Sequence, residues 1–179
     1  VDFAGIPIFC GSFDGKGHTI SGLSITQDGS NMGLFRYVDA SALIQNLTVS
    51  GEVTPDGSRS AVGGIAGHNA GKILNCFFDG TVSGANDVGG IVGINAVTGI
   101  LDGCHASGVV TGSHRIGGVA GNNLGVIRSC NNRSEVNTTA EENQVKLSDI
   151  SLSTITGSES VSTVTDIGGI AGTSSGIIR

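Results

Sequence analysis

Four times along this chain a branched aliphatic residue precedes two glycines and a second branched aliphatic. The copies are Val62-Gly63-Gly64-Ile65, Val88-Gly89-Gly90-Ile91, Ile116-Gly117-Gly118-Val119 and Ile167-Gly168-Gly169-Ile170. Each runs on to Asn69, Asn95, Asn123 or Ser174, then to a Gly-x-aliphatic step, and in the first three to Cys76, Cys104 or Cys130. A unit this short cannot bury its own apolar face and must stack on a neighbouring copy. The chain is a repeat protein, and its function must be one that a stacked array can perform.

Helix is excluded by the same glycines. There are 31 of them in 179 residues, and each costs a helix about 1 kcal/mol. Short branched-aliphatic runs bounded by Gly, Asn, Ser and Asp are strand and turn vocabulary. Val-Gly-Gly-Ile-Ala-Gly, Gly-Lys-Ile-Leu-Asn-Cys and Gly-Thr-Val-Ser read as three short strands per unit. The expected fold is all-β: a right-handed parallel β-helix of about six coils, with three strands each, stacked at roughly 4.8 Å.

The anchors at residues 32, 62, 88 and 116 are 30, 26 and 28 residues apart, so a coil takes 26–30 residues. From 116 to 167 is 51, close to two periods. Residues 1–179 thus read as a single β-helix domain: a partial first coil or lead-in over 1–31, four repeats over 32–137, and a truncated repeat over 167–179. Between them, 138–166 is an insertion or a lapsed coil. The chain lacks an initiating methionine and a signal peptide and stops inside a repeat, which predicts a fragment of a longer protein.

Stacking predicts ladders of like residues. Val62, Val88, Ile116 and Ile167 form one column, Ile73, Leu101, Ile127 and Ile178 a second, and Val53, Val82, Val110 and Val136 a third. Asn69, Asn95 and Asn123 are placed to hydrogen-bond amide to amide. Cys76, Cys104 and Cys130 share a slot with Leu47 and read as reduced core thiols rather than a bridge. The glycines are expected at corners that need positive φ or close backbone approach.

Charged residues are 13% of the chain and the net charge is −6, so the basic footprint of a nucleic-acid binder is missing. No run approaches the ~20 apolar residues of a membrane span. Uncapped coil ends would expose strand edges and invite end-to-end self-association.

A search for chemistry returns little. His18, His68, His105 and His114 fall in no H-E-x-x-H run, and no G-x-S-x-G elbow occurs. Asp14, in Phe13-Asp14-Gly15-Lys16-Gly17-His18, reads as a tight turn. The three N-x-S/T triplets start at Asn46, Asn132 and Asn137. Thr81, Thr111 and Thr138 hold roughly homologous places, a thin basis for an ice-binding face. No catalytic, cofactor-binding or metal residue is assigned. Contact surfaces are sought in non-repeating loops, which makes Arg59, His114, Arg115, Glu141 and Glu142 the candidate partner-binding residues.

The repeated Gly-Gly-Ile-Ala-Gly-x-Asn followed by Gly-x-Ile-x-x-Cys resembles the GLUG-motif repeats of bacterial surface proteins. The opening Phe13 to Leu23, with Gly33-Leu34-Phe35 and Ile44-Gln45-Asn46-Leu47, is similar to the lead-in before such repeats. The resemblance covers 11–136 and 167–179. It implies a secreted or wall-attached protein, adhesin-like, or the N-terminal region of an immunoglobulin A1 protease-type zinc metallopeptidase. The implied role is a non-catalytic rigid spacer or an adhesive face for a host protein or glycan; the alternatives are a polysaccharide-acting β-helix enzyme, or the substrate-engaging region of such a peptidase.

Overall fold

The computed structural model describes residues 3–57, 59–137 and 165–179. These contain strands and turns with no helix. The lead-in supplies β1 (Ser12–Asp14) and β2 (Thr19–Ile25), and the next turn β3 (Phe35–Val38), β4 (Leu43–Gln45) and β5 (Thr48–Val53). The first Gly-Gly copy opens a coil of four strands: β6 (Ser60–Gly63), β7 (Ala66–Asn69), β8 (Lys72–Leu74) and β9 (Phe77–Ser83). It recurs as β10 (Asn86–Gly89), β11 (Val92–Asn95), β12 (Ile100–Asp102) and β13 (His105–Thr111), and again as β14 (His114–Gly117), β15 (Ala120–Asn123), β16 (Val126–Arg128) and β17 (Asn131–Val136). The last described stretch adds β18 (Thr165–Gly168), β19 (Ala171–Ser174) and β20 (Ile177–Ile178).

Every strand pairs in parallel with its counterpart one coil away, which makes four walls. The Gly-Gly wall stacks β6, β10, β14 and β18; the Asn wall β3, β7, β11, β15 and β19; the short wall β1, β4, β8, β12, β16 and β20; and the long wall β2, β5, β9, β13 and β17. The chain is a parallel β-solenoid, as its repeat requires. Two details differ from expectation. A coil has four strands rather than three, because Gly64-Ile65 and its equivalents bend the chain and split one apparent strand in two. Complete turns number about four rather than six, since only the short wall carries six rungs. The alternatives for 138–166 concern residues that, up to 164, lie outside the described ones; β18 pairs directly with β14, Ile167 against Ile116.

The three aliphatic columns stack in register, with Val88 between Val62 and Ile116, Leu101 between Ile73 and Ile127, and Val110 between Val82 and Val136. Val62, Val88, Ile116, Ile73, Leu101 and Val82 are fully buried. Buried aliphatics at 25 cal/mol per Å² supply the main cohesion of such a rod.

Most of the motif's glycines are required by close approach and not by φ. A Cβ at Gly67, Gly93, Gly121 or Gly172 would lie 2.2–2.4 Å from the backbone of Asn31, Ala61, Asp87 or Arg115, so the Asn wall lies directly on the Gly-Gly wall. At Gly64 a Cβ would fall 2.3 Å from the Phe78 ring. Positive φ belongs to other residues, chiefly Asn31, Ala61, Asp87, Arg115 and Asp166, one column at 54–62° immediately before each wall's first aliphatic. A second such column is Asn46, Asn75, Gly103 and Ser129, immediately before Leu47 and the three cysteines. Asn and Asp tolerate this conformation through local hydrogen bonds; Ala and Arg pay about 1–2 kcal/mol for it.

Candidate functional site

Most recurrent polar groups are consumed in holding coil to coil. Asn69 Nδ2 donates to Asn95 Oδ1 at 2.9 Å, Asn95 Nδ2 to Asn123 Oδ1 at 2.8 Å, and Asn123 Nδ2 to Ser174 Oγ at 3.0 Å. All three asparagines are fully buried. Asn69 also spans its own turn, giving Nδ2 to Gly71 O and taking the Gly71 N–H. Buried amides left unmet would cost about 1–3 kcal/mol each, so this column is structural.

Ion pairs do the same. Arg59 meets Asp28, Arg115 grips Asp87 through two bonds of 2.6 and 2.8 Å, and Arg128 reaches Asp102 at 2.9 Å. Two candidate contact residues, Arg59 and Arg115, are therefore engaged within the chain. His114 is half-buried at the start of β14, its N–H on Ala85 O. Glu141 and Glu142 lie outside the described residues.

All four cysteines are free, with Cys76 and Cys104 buried, Cys130 half-buried and Cys10 exposed. Burial pushes the Cys76 thiol up to about 11. The hydrogen bond that the Cys104 thiol donates to Cys130, with burial, pushes Cys104 well up. Asp14 ends β1 and accepts from Lys16 N–H and the Asn46 and Gln45 amides, which hold its carboxyl below the usual range. His68 stacks on Tyr37 at 4.7 Å between ring centres, and its burial favours the neutral imidazole. The sequon asparagines are occupied too: Asn46 on Asp14, Asn132 on Ser134, Asn137 on Gly112. Thr81 pairs with Val109 and Thr111 with Ser83, so the two threonines form no common column. Among the described residues no three His, Cys, Asp or Glu side chains converge.

The long wall is different. Its first outward row is Thr48, Phe77, His105 and Asn131, and its second Ser50, Asp79, Ser107 and Arg133. Between these rows lies an open recess of about 370 Å³ lined by Phe77, His105, Ala106, Ser107, Asn131 and Arg133. Phe77 is half-buried, while His105, Asn131 and Arg133 are exposed. Among the described residues no hydrogen bond or ion pair occupies those three polar side chains. Ser107 Oγ donates to Asp79, one coil back on the same row. Loop reasoning from sequence missed this face. The available signal was that Phe77, His105 and Asn131 each follow a core cysteine by one residue, so stacking sets them in one outward line.

The four-strand coil 60–83, with its Gly-Gly bend, buried Asn69 and Cys76, coincides with a segment, residues 58–83, that matches a known family described as the GLUG motif. Residues 58–83 match the GLUG motif. The GLUG coil is repeated in register by β10–β13 and β14–β17. Halomucin of Haloquadratum walsbyi is 42% identical over 86 residues, which cover 48% of this chain and 1% of that protein. A Gly-rich membrane protein of Evansella cellulosilytica is 29% identical over 121 residues, 49% of this chain and 14% of that protein. The chain thus spans a small part of the length of either relative. No solved structure matches it. GLUG coils of this kind form a repeat module, and neither relative's name denotes an enzyme. No described segment forms a helix long and apolar enough to cross a membrane.

Proposed function

We propose that this GLUG module is a non-catalytic part of a secreted or cell-surface protein, a rigid spacer whose long wall offers an adhesive face to a glycan or host protein. The carrying observation is the division of labour among polar groups. Asn, Asp and Arg columns on three walls are spent on cohesion between coils, whereas His105, Asn131 and Arg133 stand uncommitted around Phe77 among the described residues. A relative named a mucin and another named a membrane protein support placement at the cell surface.

Glycoside hydrolysis needs two carboxyl groups facing across the scissile bond. The residues lining the recess include none, which favours binding over turnover. The test is surface plasmon resonance of the chain against immobilised mucin and glycan panels, alongside its Phe77→Ala variant. Binding weakened by that variant is expected. Absence of binding on every panel would remove the adhesive part and leave the spacer; turnover of pectin or alginate would overturn the non-catalytic reading.

A further inference from the structure

Resting on the adhesive reading above, we infer that the recess takes a saccharide bearing a single carboxylate, a uronate or sialate unit, with its acid group at Arg133. The site is polarised along one row. Asp79, Ser107 and Arg133 occupy equivalent positions on successive coils, so a carboxylate and a guanidinium stand at opposite ends with a hydroxyl between them. Ser107 is turned toward Asp79 by its hydrogen bond, which leaves Arg133 without a partner among the described residues.

Arginine presents a planar fork of donors that matches a carboxylate bidentately, which a lysine would not do. Phe77 provides an apolar floor on which the C–H face of a pyranose can lie. His105 and Asn131 stand on the neighbouring row as partners for ring hydroxyls. Asp79, an acceptor when ionised, favours a hydroxyl and repels a second acid group at its end of the row. The chain's net charge of −6 opposes a densely sulfated polymer for the same reason. One acid per ligand, held at one end, is what this face selects.

The experiment uses the whole chain with oligogalacturonate and sialyllactose, each beside its carboxyl-reduced counterpart, measured by isothermal titration calorimetry. The wild type is expected to bind at least one acidic probe tenfold or more tightly than its reduced form. Arg133→Gln is expected to abolish that preference while leaving the reduced form's affinity unchanged, and Phe77→Ala to weaken both. Circular dichroism of each variant checks that the coil is intact. Equal affinity for acidic and reduced probes, with Phe77→Ala still weakening both, would overturn the acid selection and keep the adhesive face. Binding of neither probe, or binding indifferent to both substitutions, would overturn the assignment of this recess.

Discussion

Arg115 holds Asp87 of the preceding coil with two parallel hydrogen bonds, and both residues adopt left-handed backbone conformations, φ 55° and 54°. Asp87 is 5% exposed and Arg115 is partly open to solvent. Asp166, in the same column one coil on, adds further attraction and raises the arginine's pKa together with Asp87. Arg115→Ala strands the Asp87 carboxylate. A loss of about 1–3 kcal/mol is expected, below the cost of breaking a fully buried pair because the guanidinium is partly screened. Urea midpoints would show it, and Asp87→Asn in the same chain should restore part of the loss.

Asn95 is the middle of the amide ladder, bonded to Asn69 below and Asn123 above. Asn95→Ala leaves buried partners unmet on both sides. The expected cost is about 2–4 kcal/mol, summed over the groups left unsatisfied. A change within about 0.5 kcal/mol in chemical denaturation would show the ladder to be ornamental.

Two glycines of the motif should respond oppositely to alanine. At Gly93 the new Cβ would lie 2.4 Å from the Ala61 backbone, whereas at Gly169 nothing among the described residues stands within 4 Å. Gly93→Ala must push the Asn wall off the Gly-Gly wall, and a loss of about 3 kcal/mol or failure to fold is expected. Gly169→Ala should stay within about 0.5 kcal/mol of the parent. Expression and thermal melts of the pair settle it.

Thiol chemistry should follow burial. Cys76 is fully buried and its thiol is raised to about 11, so little thiolate exists at neutral pH. Iodoacetamide followed by mass spectrometry is expected to mark Cys10 first, Cys130 slowly, and Cys76 and Cys104 only once urea opens the coil. Early labelling of Cys76 would contradict the filled core.

Much of this architecture was legible because a stacked fold writes the same residue at the same phase of each turn. The Asn69, Asn95 and Asn123 column, and the aliphatic ladders, could be read that way. The fourth wall could not, since Gly63-Gly64 hides a bend inside what looks like one strand. Register in the lead-in was also obscure. Phe13 lies opposite Ile44 and Ile20 opposite Val49, and an irregularity between Ile20 and Leu23 then shifts β2 against β5. The recess stayed hidden for the opposite reason to the ladders. Phe77, His105 and Asn131 share a row but no chemistry, so repetition marks their place and not their use.

The column that carries Ala61, Asp87, Arg115 and Asp166 gives the rod a grammar. Every coil offers its neighbours the same backbone edge, so hydrogen bonding alone would let the turns be shuffled. Their charges forbid it: exchanging the turns that bear Asp87 and Arg115 would set Asp87 against Asp166, acid upon acid. Residues at a strained corner thereby encode which turn follows which, and the order of the units becomes a heritable property distinct from their number.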